Sequence, residues 1–167
     1  MTFAARIVAS PLERAAAARL LWGVRAQPFF SSAVVGSVAT AATTGALVAM
    51  GHRLGSASLP FAAIGGVLFG RSAGAGTVVA GVVGHVAAMV LWSVLFVRLA
   101  ERLRSRDALS AGIIAAAQFV VGWIIAWMSG RGLSSALLLG DRIAFALVLG
   151  GALVVGMRFA FSLSRNA

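Results

Sequence analysis

Long runs of apolar residues dominate this chain, and short segments that carry the charges separate them. A helix needs about 20 mostly apolar residues to cross the hydrocarbon core of a bilayer. Four runs approach or exceed that length and predict transmembrane helices at about residues 29–50, 76–97, 109–129 and 143–162. The connections are too short to form a further domain. The pattern therefore predicts an all-α, polytopic membrane protein with a single four-helix transmembrane domain over residues 29–163.

Two further segments are predicted to lie at the membrane surface or to enter it only partly. Residues 1–28 contain Ser10-Pro11-Leu12-Glu13, in which Ser10 suits the N-cap, Pro11 the first helical position and Glu13 a capping box. We expect an amphipathic helix there, on the cytoplasmic interface or docked on a partner. Residues 60–70 are apolar but too short to span, which indicates an interfacial or a re-entrant segment.

The composition supports a membrane protein and excludes several classes of soluble protein. The chain has 167 residues, 60% hydrophobic and 11% charged, whereas soluble domains are about 45–50% apolar and about 25% charged. All 14 basic residues are Arg, against four acidic ones, so the net charge is +10. We assign this charge to the loops of a membrane protein and expect no nucleic-acid partner. Cysteine is absent, which excludes disulfides, Cys-based zinc sites and iron–sulfur clusters.

The distribution of Arg predicts the orientation in the membrane. Ten of the 14 Arg lie in the N-terminal segment, in the connection between the second and third spans, and in the C-terminal tail. The opposite side carries Arg53, Arg71, Arg131 and Arg142. Because cytoplasmic loops are enriched in basic residues, we predict that both termini of this multi-pass protein lie in the cytoplasm.

Small residues recur at intervals of four along the predicted spans. Such stripes let helix backbones approach closely in a membrane. We expect them to pack the helices within a monomeric bundle, with a dimer face as the alternative. The stripes include Ser37, Ala41, Gly45 and Ala49 in the first span, Gly76, Ala80, Gly84 and Ala88 in the second, and Ala152, Gly156 and Ala160 in the fourth.

Polar residues near the middle of three spans form a candidate site. Thr40, with Thr43 and Thr44 just beyond it, His85 and Gln118 fall at about the same depth. We expect His85 and Gln118 to face the interior and to form hydrogen bonds, with a Thr hydroxyl such as Thr44 nearby. Three interpretations stay open: interhelical hydrogen bonding alone, contact with a haem, a chlorophyll-type pigment or a quinone, and proton relay.

The groups needed for catalysis or ion-coupled transport are missing from the pattern. No Asp or Glu lies inside a predicted span, which disfavours a proton-coupled exporter. Neither histidine has a carboxylate within sequence reach, and no phosphate-binding loop occurs. His52 and His85 differ in depth by about 15 Å, so no shared metal is expected. We predict that the chain is not an enzyme and holds no metal site.

The second half of the chain resembles a family of small bacterial membrane proteins. Gly81-Val-Val-Gly-His85, a basic loop, and Ala111-Gly-Ile-Ile-Ala-Ala-Ala-Gln118 followed by Gly122-Trp123 are similar to the YagU-like inner-membrane proteins. The resemblance covers about residues 76–160. It implies a location in the bacterial inner membrane and four spans, with a His in the second and a polar position in the third. The fourth span departs from it, because residues 143–155 lack the polar or His residue of the family.

These observations favour a non-catalytic accessory or scaffold subunit of a larger respiratory or photosynthetic membrane complex. The expected partners are the lipid bilayer and other membrane-protein subunits. One alternative is a subunit that contacts a tetrapyrrole or a quinone through His85. The other is a small homo-oligomeric transporter or pore lined by the polar layer.

Overall fold

The computed structural model describes residues 28–69, 74–103, 107–128 and 138–165, and this part of the chain is all-helical. Four of its helices are long and apolar enough to cross a membrane, as the sequence predicts. The interfacial helix expected in residues 1–28 lies outside the described residues apart from Pro28. The five helices are α1 (Pro28–Arg53), α2 (Leu59–Phe69), α3 (Ala75–Arg102), α4 (Asp107–Met128) and α5 (Leu139–Arg165).

Local sequence sets the limits of these helices. Pro28 is the first residue of α1, a position where its missing N–H costs no helical hydrogen bond. Helix α1 ends in a Schellman motif, in which the Ser56 N–H donates a hydrogen bond to the Gly51 carbonyl oxygen at 2.9 Å. Gly55 takes the left-handed conformation that this motif requires, with φ +94°. Asp141 lies in the first turn of α5 and accepts the Leu138 N–H at 3.2 Å, which is half of a capping box.

The long helices form an incomplete ring. α1 packs between α3 and α5, and α4 packs on α5, whereas α3 and α4 touch at few points. The core of the ring is a cluster of buried residues centred on Val35, Met89, Phe96 and Leu153. The weak α3–α4 contact leaves a gap in the wall of the bundle.

The short helix α2 packs antiparallel on the first half of α3. A Cβ at Gly65 would collide with the Thr77 carbonyl oxygen, and one at Gly81 would collide with the Phe61 carbonyl oxygen. Phe61, near the start of α2, therefore lies beside Gly81, six residues into α3, while the later part of α2 lies beside the start of α3. The segment predicted at residues 60–70 is thus a helix packed on α3 as far as Phe69, and both its interfacial and its re-entrant placement stay predictions from the sequence.

The small-residue stripes pack the bundle in only some of the predicted places. On α5, Ala152, Gly156 and Ala160 are buried, and a Cβ at Gly156 would lie 2.9 Å from Val35 Cα of α1. The stripe of α1 is different, because all four of its members are exposed, and the expectation that it packs within this bundle is wrong. Helix α1 instead buries the face that carries Val35, Ala39, Thr43 and Leu47.

Candidate functional site

Three polar residues, Thr43, His85 and Gln118, lie at the same depth in the bundle. Thr43 is ten residues from the end of α1, His85 ten residues from the start of α3, and Gln118 ten residues from the end of α4. These helix ends lie on the same side, where Arg53 of α1 contacts Asp141 of α5; we call it the Asp141 end. At 1.5 Å per residue, the three side chains are about 15 Å from that end.

His85 is buried, and its side chain forms a hydrogen bond with a residue of α1. Its Nε2 atom lies 3.2 Å from Thr43 Oγ1, and only 4% of the residue is exposed. The rings of Phe61 and Phe145 meet the imidazole edge-on, with centroid distances of 6.0 and 6.3 Å. The interior position predicted for His85 is confirmed, with two aromatic rings and the Thr43 hydroxyl beside the imidazole.

The predicted Gln118 and Thr44 have different surroundings from those expected. Gln118 is half-buried, and no described residue forms a hydrogen bond with its side chain. It does not bond to His85, whose partner is Thr43. Thr44 is also half-buried, but it neither bonds to His85 nor borders the cavity described next. Thr43, and not the adjacent Thr44, contacts His85 because of its position around the helix. It is four residues from both Ala39 and Leu47 and therefore lies with them on the buried face of α1.

A cavity of about 350 Å³ occupies the gap between α3 and α4 and opens partly to the bundle surface. Most of its lining is apolar, and four polar or charged side chains border it. The lining residues are Gly84, Ala88, Met89, Leu91 and Trp92 of α3, Phe119, Val121 and Gly122 of α4, Phe145 and Ala146 of α5, Leu47 and Met50 of α1, Ile64 and Val67 of α2, and the polar His85, Gln118, Asp141 and Arg142.

The charges of the cavity lie at the Asp141 end. Asp141 is 7% exposed, and its carboxylate is satisfied by the Arg53 guanidinium and the Leu138 N–H. Arg142 has no ion-pair partner among the described residues. Sequence reasoning placed Asp141 and Arg142 near the membrane surface but did not connect them with His85. One feature of the sequence could have drawn attention to Asp141: it is the single acidic residue expected on that side of the membrane.

The arrangement can hold a small apolar molecule and can offer it hydrogen bonds at His85 and Gln118. Among the described residues, no group of three or more His, Cys, Asp or Glu side chains could hold a metal ion. No protein-family model matches this chain, and neither a curated protein nor a solved structure matches it. The similarity to YagU-like proteins therefore remains a prediction from the sequence.

Proposed function

We propose that this protein is a multi-pass protein of the bacterial inner membrane that binds a small lipid-soluble molecule in the cavity between α3 and α4. The cavity itself supports this proposal. Its volume of about 350 Å³ falls within the range of about 300–1,000 Å³ that is usual for small-molecule sites. An apolar wall with a few polar groups is also the usual composition of such sites.

The residues around the gap explain how a ligand would fit there. Gly84 and Ala88 of α3 and Gly122 of α4 border the cavity, so small side chains lie on both of its walls. In membranes, such residues normally bring two helices into contact. Here the two helices stay apart, and the space is continuous with the surface on which lipid would lie. A hydrophobic molecule would thus reach His85 and Gln118 directly from the bilayer.

Among the ligands considered from the sequence, the site favours a compact ring, of the size of a quinone or quinol headgroup, over a tetrapyrrole. Axial ligation of a macrocycle requires a free imidazole nitrogen with open space in front of it. The Nε2 atom of His85 faces Thr43 instead. The other nitrogen, Nδ1, is next to the Cγ atom that attaches the ring to its own helix, where a macrocycle would collide with α3.

The proposal is tested by identifying what the purified protein carries. The protein is extracted in lipid nanodiscs, and bound small molecules are quantified by mass spectrometry against empty nanodiscs. We expect a lipid-soluble compound at near-equimolar amount in the unmodified protein. In Gly122→Leu, the added side chain fills the cavity and the compound should be lost.

Gly112→Leu is the matched control, because Gly112 lies on the same helix, is exposed and has no atom within 4 Å of an added Cβ. It should retain the compound. If no compound exceeds the background, or if Gly122→Leu retains it like the control, the cavity is not a binding site.

An accessory subunit of a larger membrane complex is the second candidate function. One observation favours it: the stripe of Ser37, Ala41, Gly45 and Ala49 on α1 is exposed, so these helix-packing residues contact no other described helix closely. Blue-native electrophoresis after mild solubilisation tests this function. Migration of the protein alone, unchanged by Gly45→Leu, would argue against it.

A further inference from the structure

The hydrogen bonds of Thr43 determine which nitrogen of His85 carries a proton. The Thr43 hydroxyl oxygen lies 2.7 Å from the Ala39 carbonyl oxygen and 3.4 Å from the Thr40 carbonyl oxygen. Two oxygens 2.7 Å apart require a proton between them, and a hydroxyl has only one to donate. Thr43 therefore donates to its own helix and can only accept from His85. The Nε2 atom, 3.2 Å away, must be the donor.

The remaining nitrogen of a neutral His85 is then a hydrogen-bond acceptor. The imidazole lies between Phe61 and Phe145, and the carboxylate that borders the same cavity, Asp141, is already paired with Arg53. A buried imidazolium without a counter-ion would be costly, so the ring is neutral. With the proton on Nε2, Nδ1 has a lone pair and no proton. His85 forms no second hydrogen bond with any described residue.

We propose that the cavity selects ligands that donate a hydrogen bond, such as a quinol, a phenol or an aliphatic alcohol, over acceptor-only molecules such as a quinone or an ether. This inference rests on the proposed function and names the chemical class of its ligand. His85 Nδ1 accepts a hydrogen bond from the hydroxyl group of the ligand. Gln118 borders the same cavity, but its amide both donates and accepts, so it does not distinguish the two classes. Arg142, which only donates, and Asp141, which is paired with Arg53, border the cavity at the Asp141 end. At the depth of His85, selectivity for a donor therefore comes from Nδ1.

Two probes that differ only at the hydroxyl test the inference: 4-butylphenol and its methyl ether. Binding of each to the protein in nanodiscs is measured by calorimetry, with empty nanodiscs correcting for partition into lipid. The phenol should bind about tenfold more tightly, which is the effect of one hydrogen bond to a buried acceptor. In His85→Phe, the two affinities should become equal. Gly122→Leu should abolish binding of both, which assigns the binding to the cavity.

The tautomer is measured independently of any ligand by nitrogen NMR of protein labelled with ¹⁵N at histidine. His52, the only other histidine, is removed by His52→Gln, so that the remaining signals belong to His85. We expect a protonated Nε2 and an unprotonated Nδ1, and a loss of this preference in Thr43→Val. This measurement requires no variant at His85 itself.

The outcomes separate the inference from the proposed function. Equal affinities for the two probes, both blocked by Gly122→Leu, or a proton on Nδ1, would overturn donor selectivity and leave the binding site intact. If neither probe binds, the inference fails, whereas the proposed function fails only if the unmodified protein also carries no compound above the background.

Discussion

The Nε2 atom of His85 on α3 and the hydroxyl of Thr43 on α1 form a hydrogen bond, 3.2 Å long, in the buried part of the bundle. The bond joins α1 to α3 through two buried side chains. It also orients the imidazole at the wall of the cavity. The same contact therefore contributes to helix packing and sets the hydrogen-bonding character of the candidate site.

A double-mutant cycle with Thr43→Val and His85→Phe should measure this bond. Interhelical hydrogen bonds in membranes average about 0.6 kcal/mol and reach about 1.7 kcal/mol. We expect a coupling energy of about 1 kcal/mol in the free energy of unfolding, measured by titration with denaturing detergent in mixed micelles. Thr43→Ser keeps the hydroxyl and should retain coupling to His85. Additive effects of the two substitutions would mean that the side chains do not interact.

Gly65→Ala should separate α2 from α3. A methyl group at Gly65 would collide with the Thr77 carbonyl oxygen, and the backbone has to shift to admit it. We expect a loss of about 1–3 kcal/mol in the free energy of unfolding, the usual effect of overpacking. Gly66→Ala is the control on the same helix, because nothing lies within 4 Å of its Cβ. Equal stability of the two variants would contradict the close approach of α2 and α3.

Asp141 should contribute to stability through two separate interactions at the start of α5. Arg53→Gln leaves the buried Asp141 carboxylate without its counter-ion. It should therefore cost more than Asp141→Asn, which removes the ion pair at up to about 1 kcal/mol but keeps an oxygen for the Leu138 N–H. Asp141→Ala removes both interactions and should cost about 1 kcal/mol more, as the loss of a helix cap does. Thermal unfolding in detergent would rank the three variants. If Asp141→Ala and Asp141→Asn unfold alike, the cap has no effect.

The number and type of the long helices were predictable from the sequence, but their exact ends were not. Hydropathy finds the part of a helix that matches the hydrocarbon, and helices continue beyond it while the backbone hydrogen bonds persist. Helix α3 runs to Arg102, five residues past the predicted 97, because Arg98 and Arg102 reach polar surroundings with their long side chains. Helix α5 begins at Leu139, four residues before the predicted 143, where Asp141 caps it.

The faces of the helices were harder to predict, because lipid and protein interior are both apolar. The exposed stripe of α1 and the buried stripe of α5 have the same small-residue spacing, and only the position of neighbouring helices distinguishes them. His85 was predictable as an interior residue because a polar group in hydrocarbon is costly. The cavity was not, since it depends on the separation of α3 and α4, and no pattern along one chain encodes that distance.

The orientation of the bundle can be tested with single cysteines, since the natural chain contains none. Ser56 lies between α1 and α2 at the Asp141 end, and Ser164 lies near the end of α5 on the opposite side; both are exposed. If both termini are cytoplasmic, a membrane-impermeant maleimide should label Ser56→Cys in intact cells and Ser164→Cys only after the inner membrane is permeabilised. The unmodified protein is the blank. The reverse labelling pattern would invert the orientation, and the Asp141 end of the bundle would then face the cytoplasm.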